Sequence, residues 1–160
     1  MSEMHAFLHQ FDATWSHEWE SVRAALDGVN DDEAAYQAPC YAGETTEDGW
    51  PPPGTIAWQV AHLTHCKRDY TAILRSAGTG AGATPDAPPW VPVAAFAELR
   101  AQLKGAHEEE RLAMSAITDA QLDDIAGDEM PLRDFLAMII RHDAWHAAQI
   151  AVARRLFRTR

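Results

Sequence analysis

Residues 132–157 read LRDFLAMIIRHDAWHAAQIAVARRLF, and this stretch decides the fold. Phe135, Ile139, Ile150, Ala153 and Phe157 recur at three- and four-residue steps, the period of an amphipathic helix. Pro131 stands just before the run, where its fixed φ opens a helix well. His142 and His146 fall within about 40° of the centre of the same apolar face, at 100° per residue. Four residues apart, they stack one turn above the other. They thus occupy positions that a core would fill with leucine. Two imidazoles aimed into an apolar interior are costly unless something satisfies them. A divalent metal is the commonest partner that satisfies two histidines at once.

Working outward, three more long helical patterns precede this one. The first runs from about Ser2 to Asp27, with Met4, Phe7, Leu8, Phe11, Trp15, Trp19, Val22 and Leu26 in one wide stripe. Gly28 and Asn30 stop it, and a short helical turn at Asp31 to Gln37 follows. The second starts near Thr55 and runs to about Ser76 on Ile56, Val60, Leu63, Tyr70 and Leu74. The third opens at Pro92 and carries Val93, Phe96, Leu99, Leu103, Met114 and Ile117, with Glu108, Glu109 and Glu110 on or near its wet face. Thr118 caps one further short helix, Asp119 to Asp124. Between these lie a Pro/Gly-rich loop over 38–54, carrying Glu44, Glu47, Asp48 and Trp50, which reads either as a solvated acidic loop or, being long for a small domain, as cover for a site, and a flexible connection over 78–91. No strand pattern competes. The expectation is an all-α chain, a four-helix bundle forming one domain over 1–160.

Composition narrows the function. The formal charge is −11, with no basic stripe before the arginines of the C-terminus, so nucleic acid is not expected as the main partner. Arg154, Arg155, Arg158 and Arg160 read as a solvated end that complements the helix dipole. No apolar run is long enough for a bilayer and no signal segment is evident, so no membrane association is expected. Cys40 and Cys66 are the only cysteines, which makes a reducing cytoplasm the default.

The eight histidines are not equivalent. His62 flanks the apolar stripe of the second helix and can turn inward, whereas His65 points away from it. His5 and His9 sit on a polar shoulder, and His17 and His107 are isolated, so all four read as surface or hydrogen-bonded residues. A pair from one helix plus one histidine from a neighbour makes a facial three-nitrogen site that leaves a coordination position for water or a small-molecule substrate. Zn, Ni, Fe(II) and Mn all suit such a site. Cys66, four residues after His62, could add a thiolate, though a buried small residue is the plainer reading. Gln149 and Asp69 could orient ligand histidines, and Asp143 is read as a surface residue or a similar support.

The segments IAWQVAHL over 56–63 and RHDAWHAAQI over 141–150 resemble the two signature stretches of the DinB/YfiT-like superfamily, as does the approach from Trp50 to Gly54. The resemblance spans nearly the whole chain. It implies an up-down-down-up four-helix bundle with metal ligands at His62, His142 and His146. It further implies a homodimer and a metal-dependent activity, with a low-molecular-weight-thiol S-transferase ranked first. A metal-dependent hydrolase, or a non-catalytic metal- or small-molecule-binding protein of the stress response, stands as the alternative.

Overall fold

A computed structural model of the chain describes residues 2–46, 49–77, 95–126 and 130–160. Six α-helices form among them: α1 (Glu3–Ser16), α2 (Val22–Leu26), α3 (Asp31–Ala35), α4 (Ile56–Ser76), α5 (Phe96–Ser115) and α6 (Leu132–Arg158). Caps set their starts. Ser2 Oγ accepts the amide of His5, and Thr55 Oγ1 accepts that of Trp58 at 3.0 Å, each satisfying a donor the first turn leaves free.

The long helices α1, α4, α5 and α6 make the bundle, and their directions follow from who shares each half of the core. At one end Ile56, Val60 and Leu63 of α4 pack with Phe96, Leu99 and Leu103 of α5 and with Ala147, Ile150 and Ala153 of α6. At the other, Leu74 of α4 and Met114 of α5 pack with Leu132, Leu136 and Ile139 of α6 and Met4 of α1. So α4 and α5 run parallel, while α1 and α6 run against them, an up-down-down-up bundle. Ser76 and Phe96 therefore lie at opposite ends of the bundle.

Several elements differ from the sequence reading. The first helix breaks after Ser16 and resumes as α2. The segment between is satisfied by its own side chains: His17 Nδ1 accepts the amides of Trp19 and Glu20, and Ser21 Oγ donates to the His17 carbonyl at 2.7 Å. Ser21 then caps α2 by accepting the Ala24 amide. Trp19 consequently leaves the stripe and is 78 % exposed. The Asp119 helix is a single 3-10 turn, Asp119–Gln121. Ile125–Ala126 (β1) and Met130–Pro131 (β2) form a minimal antiparallel pair where no strand was expected. The start of the third helix at Pro92, with Val93, lies outside the described residues, as do Glu47, Asp48 and Trp90; α5 is described from Phe96.

Two charged features move from surface to interior. Glu110, placed near the wet face by pattern, is fully buried. Arg154 belongs to a latch rather than a solvated end. Its guanidinium donates to Glu33 Oε1 at 3.2 Å and to the Ala25 carbonyl at 2.8 Å, and Arg158 reaches the same carboxylate. The last helix thereby takes up free carbonyls of α2 and anchors α3. No described helix is long and apolar enough to cross a membrane.

Candidate metal centre

On α4, Gln59, His62, Cys66 and Tyr70 follow one another at three- and four-residue steps and form a polar seam. On α6, His142, His146 and Gln149 do the same. The two helices pack together, so the seams face each other inside the bundle. One nitrogen from each of His62, His142 and His146 lies within 4.8 Å of the others, a group that could hold a metal ion. His142 Nε2 and His146 Nε2 are 3.1 Å apart. A neutral N–H···N hydrogen bond fits that distance. It is also the spacing of two nitrogens that share a metal at about 2.1 Å, which ranges over roughly 2.9–3.4 Å between right-angled and tetrahedral geometry.

Each ring is held. The Trp58 indole stacks on His62, centroids 4.9 Å apart and planes 5° from parallel. Tyr70 meets His142 edge-on. The Nδ1 of buried His146 makes a short hydrogen bond with Gln59 Oε1. A carbonyl oxygen can only accept, so Nδ1 carries the proton and Nε2 presents its lone pair to the centre. His142 Nδ1 is buried with no hydrogen-bond partner among the described residues.

Burial keeps all three rings neutral. It is the first cause lowering each of them, and it takes His146 down to about 3 with help from His142 and His62. Neutral imidazole is the form that ligates, so a borderline divalent ion suits this all-nitrogen donor set. Cys66 Sγ lies 3.4 Å from His62 Nε2, but burial pushes its thiol up to about 11, so it stays protonated at neutral pH.

The other candidates fall elsewhere. Asp69 pairs with half-exposed His65, Nε2 to Oδ2 3.3 Å, and not with a ring of the centre. Gln149 Oε1 is buried without a partner among the described residues. Asp143 is neither on the surface nor hydrogen-bonded to a histidine; it is buried in an ion pair with Lys67, Nζ to Oδ2 2.7 Å. Lys67 also donates to Glu110 Oε2 at 2.8 Å. The lysine is fully buried, its ammonium 4.9 Å from the Phe11 ring. Burial drives Glu110 up to about 7 against the pull of Lys67. His107, expected at the surface or hydrogen-bonded, is buried and stacked on Phe11 and Trp15, and burial pushes it down to about 2. His5, His9 and His17 are exposed.

Sequence reasoning missed Gln59 and the buried ions. Gln59 carried a usable signal, since it lies one turn before His62 on the same face. A family model described as the DinB superfamily matches residues 10–150. Nothing among the curated proteins or the solved structures matches the chain.

Proposed function

The chain belongs to the DinB superfamily, and from that membership we propose that it is a metal-dependent enzyme that transfers a low-molecular-weight thiol to a small electrophile. The observation that supports this reading most is the convergence of three neutral histidine nitrogens, from two helices, on one point inside the bundle. His62, His142 and His146 are the proposed ligands. Held by these residues, a divalent ion would supply Lewis acidity and would favour the thiolate form of a thiol bound to it.

The chain's own residues do the rest. Gln59 fixes the tautomer of His146, and Trp58 holds the plane of His62. Three protein ligands leave a face of the centre open to substrate. Both cysteines are free, which supports a reducing, cytoplasmic setting. A homodimer is part of the proposal by resemblance.

The test starts with protein purified without a metal-affinity step. Elemental analysis should find close to one divalent ion per chain, lost in His62→Ala, His142→Ala and His146→Ala. Consumption of bacillithiol, mycothiol or glutathione with a haloalkyl or epoxide electrophile should depend on that ion. Metal retained in the triple variant overturns the ligand set. Ester or amide cleavage without thiol consumption makes the protein a hydrolase, and neither turnover makes it a binding module.

A further inference from the structure

Beside the histidine centre lies a second feature, a cavity of about 270 Å³ between the last turns of α6, the start of α4 and the loop before it. Gln59 belongs to its wall and to the centre at once, because the same side chain bonds His146. Trp145, which also lines it, has its ring 5.7 Å from that of His146.

The wall is unlike the rest of the surface. Asp, Glu, Lys and Arg make up 23 % of the chain, and none of them lines this cavity. Seven large apolar side chains stand exposed among the described residues, and Tyr41, Trp145, Val152 and Leu156, four of the seven, gather here. Exposed apolar area concentrated in a concavity marks a binding site, whereas scattered single residues do not. Gln149 lines the cavity too, and its Oε1, itself closed off from solvent, has no partner among the described residues. An acceptor left in that state costs free energy, and rotation of the terminal amide, whose torsion is soft, would turn it into the cavity to meet a donor on a ligand.

The loop side is braced as well. Gln37 Nε2 donates to the carbonyls of Glu44 and Pro53 at 2.9 and 3.0 Å, and the Ala38 amide reaches Gly54 O. Gly54 has φ +76°, and a Cβ there would collide with the Tyr41 ring, so glycine is what lets Tyr41 lie against the chain.

We infer that this cavity binds a small, uncharged, largely apolar molecule that donates one hydrogen bond to Gln149. The inference rests on the proposed function only in making that molecule the substrate of the adjoining centre. Charged ligands are disfavoured because the wall offers no counter-ion, and a carboxylate would be desolvated against aromatic and aliphatic carbon. The volume lies just under the usual range for drug-sized ligands, which sets the scale at one or two rings.

Three probes of one shape separate the terms: 1-naphthol, naphthalene and 1-naphthoate, titrated calorimetrically into the full chain. Naphthol should bind with micromolar to sub-millimolar affinity, and naphthoate at least tenfold more weakly. Ala148→Trp, which fills the cavity, and Val152→Glu, which charges it, should each weaken naphthol at least tenfold while bound metal is unchanged. Gln149→Leu should abolish the preference for naphthol over naphthalene. The inference is overturned by naphthoate binding as tightly as naphthol, by naphthol binding untouched in both wall variants, or by no binding at millimolar probe. It is equally overturned if light scattering shows a dimer that both wall variants dissociate and naphthol does not bind, since a second copy then covers the face. The triple variant of His62, His142 and His146 keeps the arms apart: metal retained with naphthol binding intact overturns the ligand set, leaves the cavity standing and removes its role as a substrate site.

Discussion

Replacing His107 by phenylalanine tests whether the interior charge balance is understood. The His107 ring lies 4.6 Å from that of Phe11 and 3.9 Å from that of Trp15, close to parallel with both. Its Nδ1 is buried without a partner, and Lys67 and Arg111 add positive potential beside it. It therefore stays neutral in the folded protein, pushed down to about 2, while in the unfolded chain it titrates near 6.5. A histidine lowered by folding leaves the unfolded state holding more protons below pH 6.5, so stability falls as the medium is acidified. Between pH 7.5 and 5.0 this one residue should remove about 2 kcal/mol, at 1.36 kcal/mol per unit below 6.5. Phenylalanine keeps the stacked shape and has no proton to bind. Urea unfolding of both proteins at the two pH values gives a difference of differences in which the centre's histidines and Glu110, common to both, cancel. The variant should lose about 2 kcal/mol less than the wild type, and it should be no less stable at pH 7.5 because the unpartnered nitrogen is gone. Equal acid losses in the two proteins, to within about 0.5 kcal/mol, would refute the reasoning.

Other perturbations reach the remaining parts. Lys67→Met leaves Glu110 and Asp143 buried without their cation and should cost about 3–5 kcal/mol in denaturant unfolding at pH 8, less at pH 5 where a carboxyl takes up a proton; a loss under about 1 kcal/mol would show the triad to be solvated. Gln59→Leu removes the acceptor on His146 and should weaken metal binding about 10- to 100-fold in a chelator competition, with the helical circular dichroism unchanged. Gly54→Ala forces a side chain into the left-handed region against Tyr41 and should lower the melting temperature, reading as a loss of about 1–3 kcal/mol, with weaker naphthol binding.

The bundle and the three histidines were legible because both are periodic. A stripe at three- and four-residue steps reports burial directly, and His142 and His146 stand inside one. The break at 17–21 was not legible, because Trp19 keeps the period while His17 and Ser21 satisfy the backbone locally and turn the chain. Glu110, Asp143 and Lys67 escaped for a related reason. Each is polar by type, and only the meeting of three helices makes burial of each affordable. Gln59 shares a face with His62, which was its one signal; that its oxygen meets a histidine 87 positions away depends on how two helices pack and is not written locally.

The buried lysine has a consequence for how the helices align lengthwise. Its two acceptors come from α5 and α6, so one ammonium ties three helices at one height. Aliphatic rows at three- and four-residue steps can meet again one turn along, at a cost in fit alone. A slip of either partner would carry its carboxylate about 5.4 Å away and strand a charge in hydrocarbon. The triad thus sets the helical register, and by setting it keeps His62 level with His142 and His146.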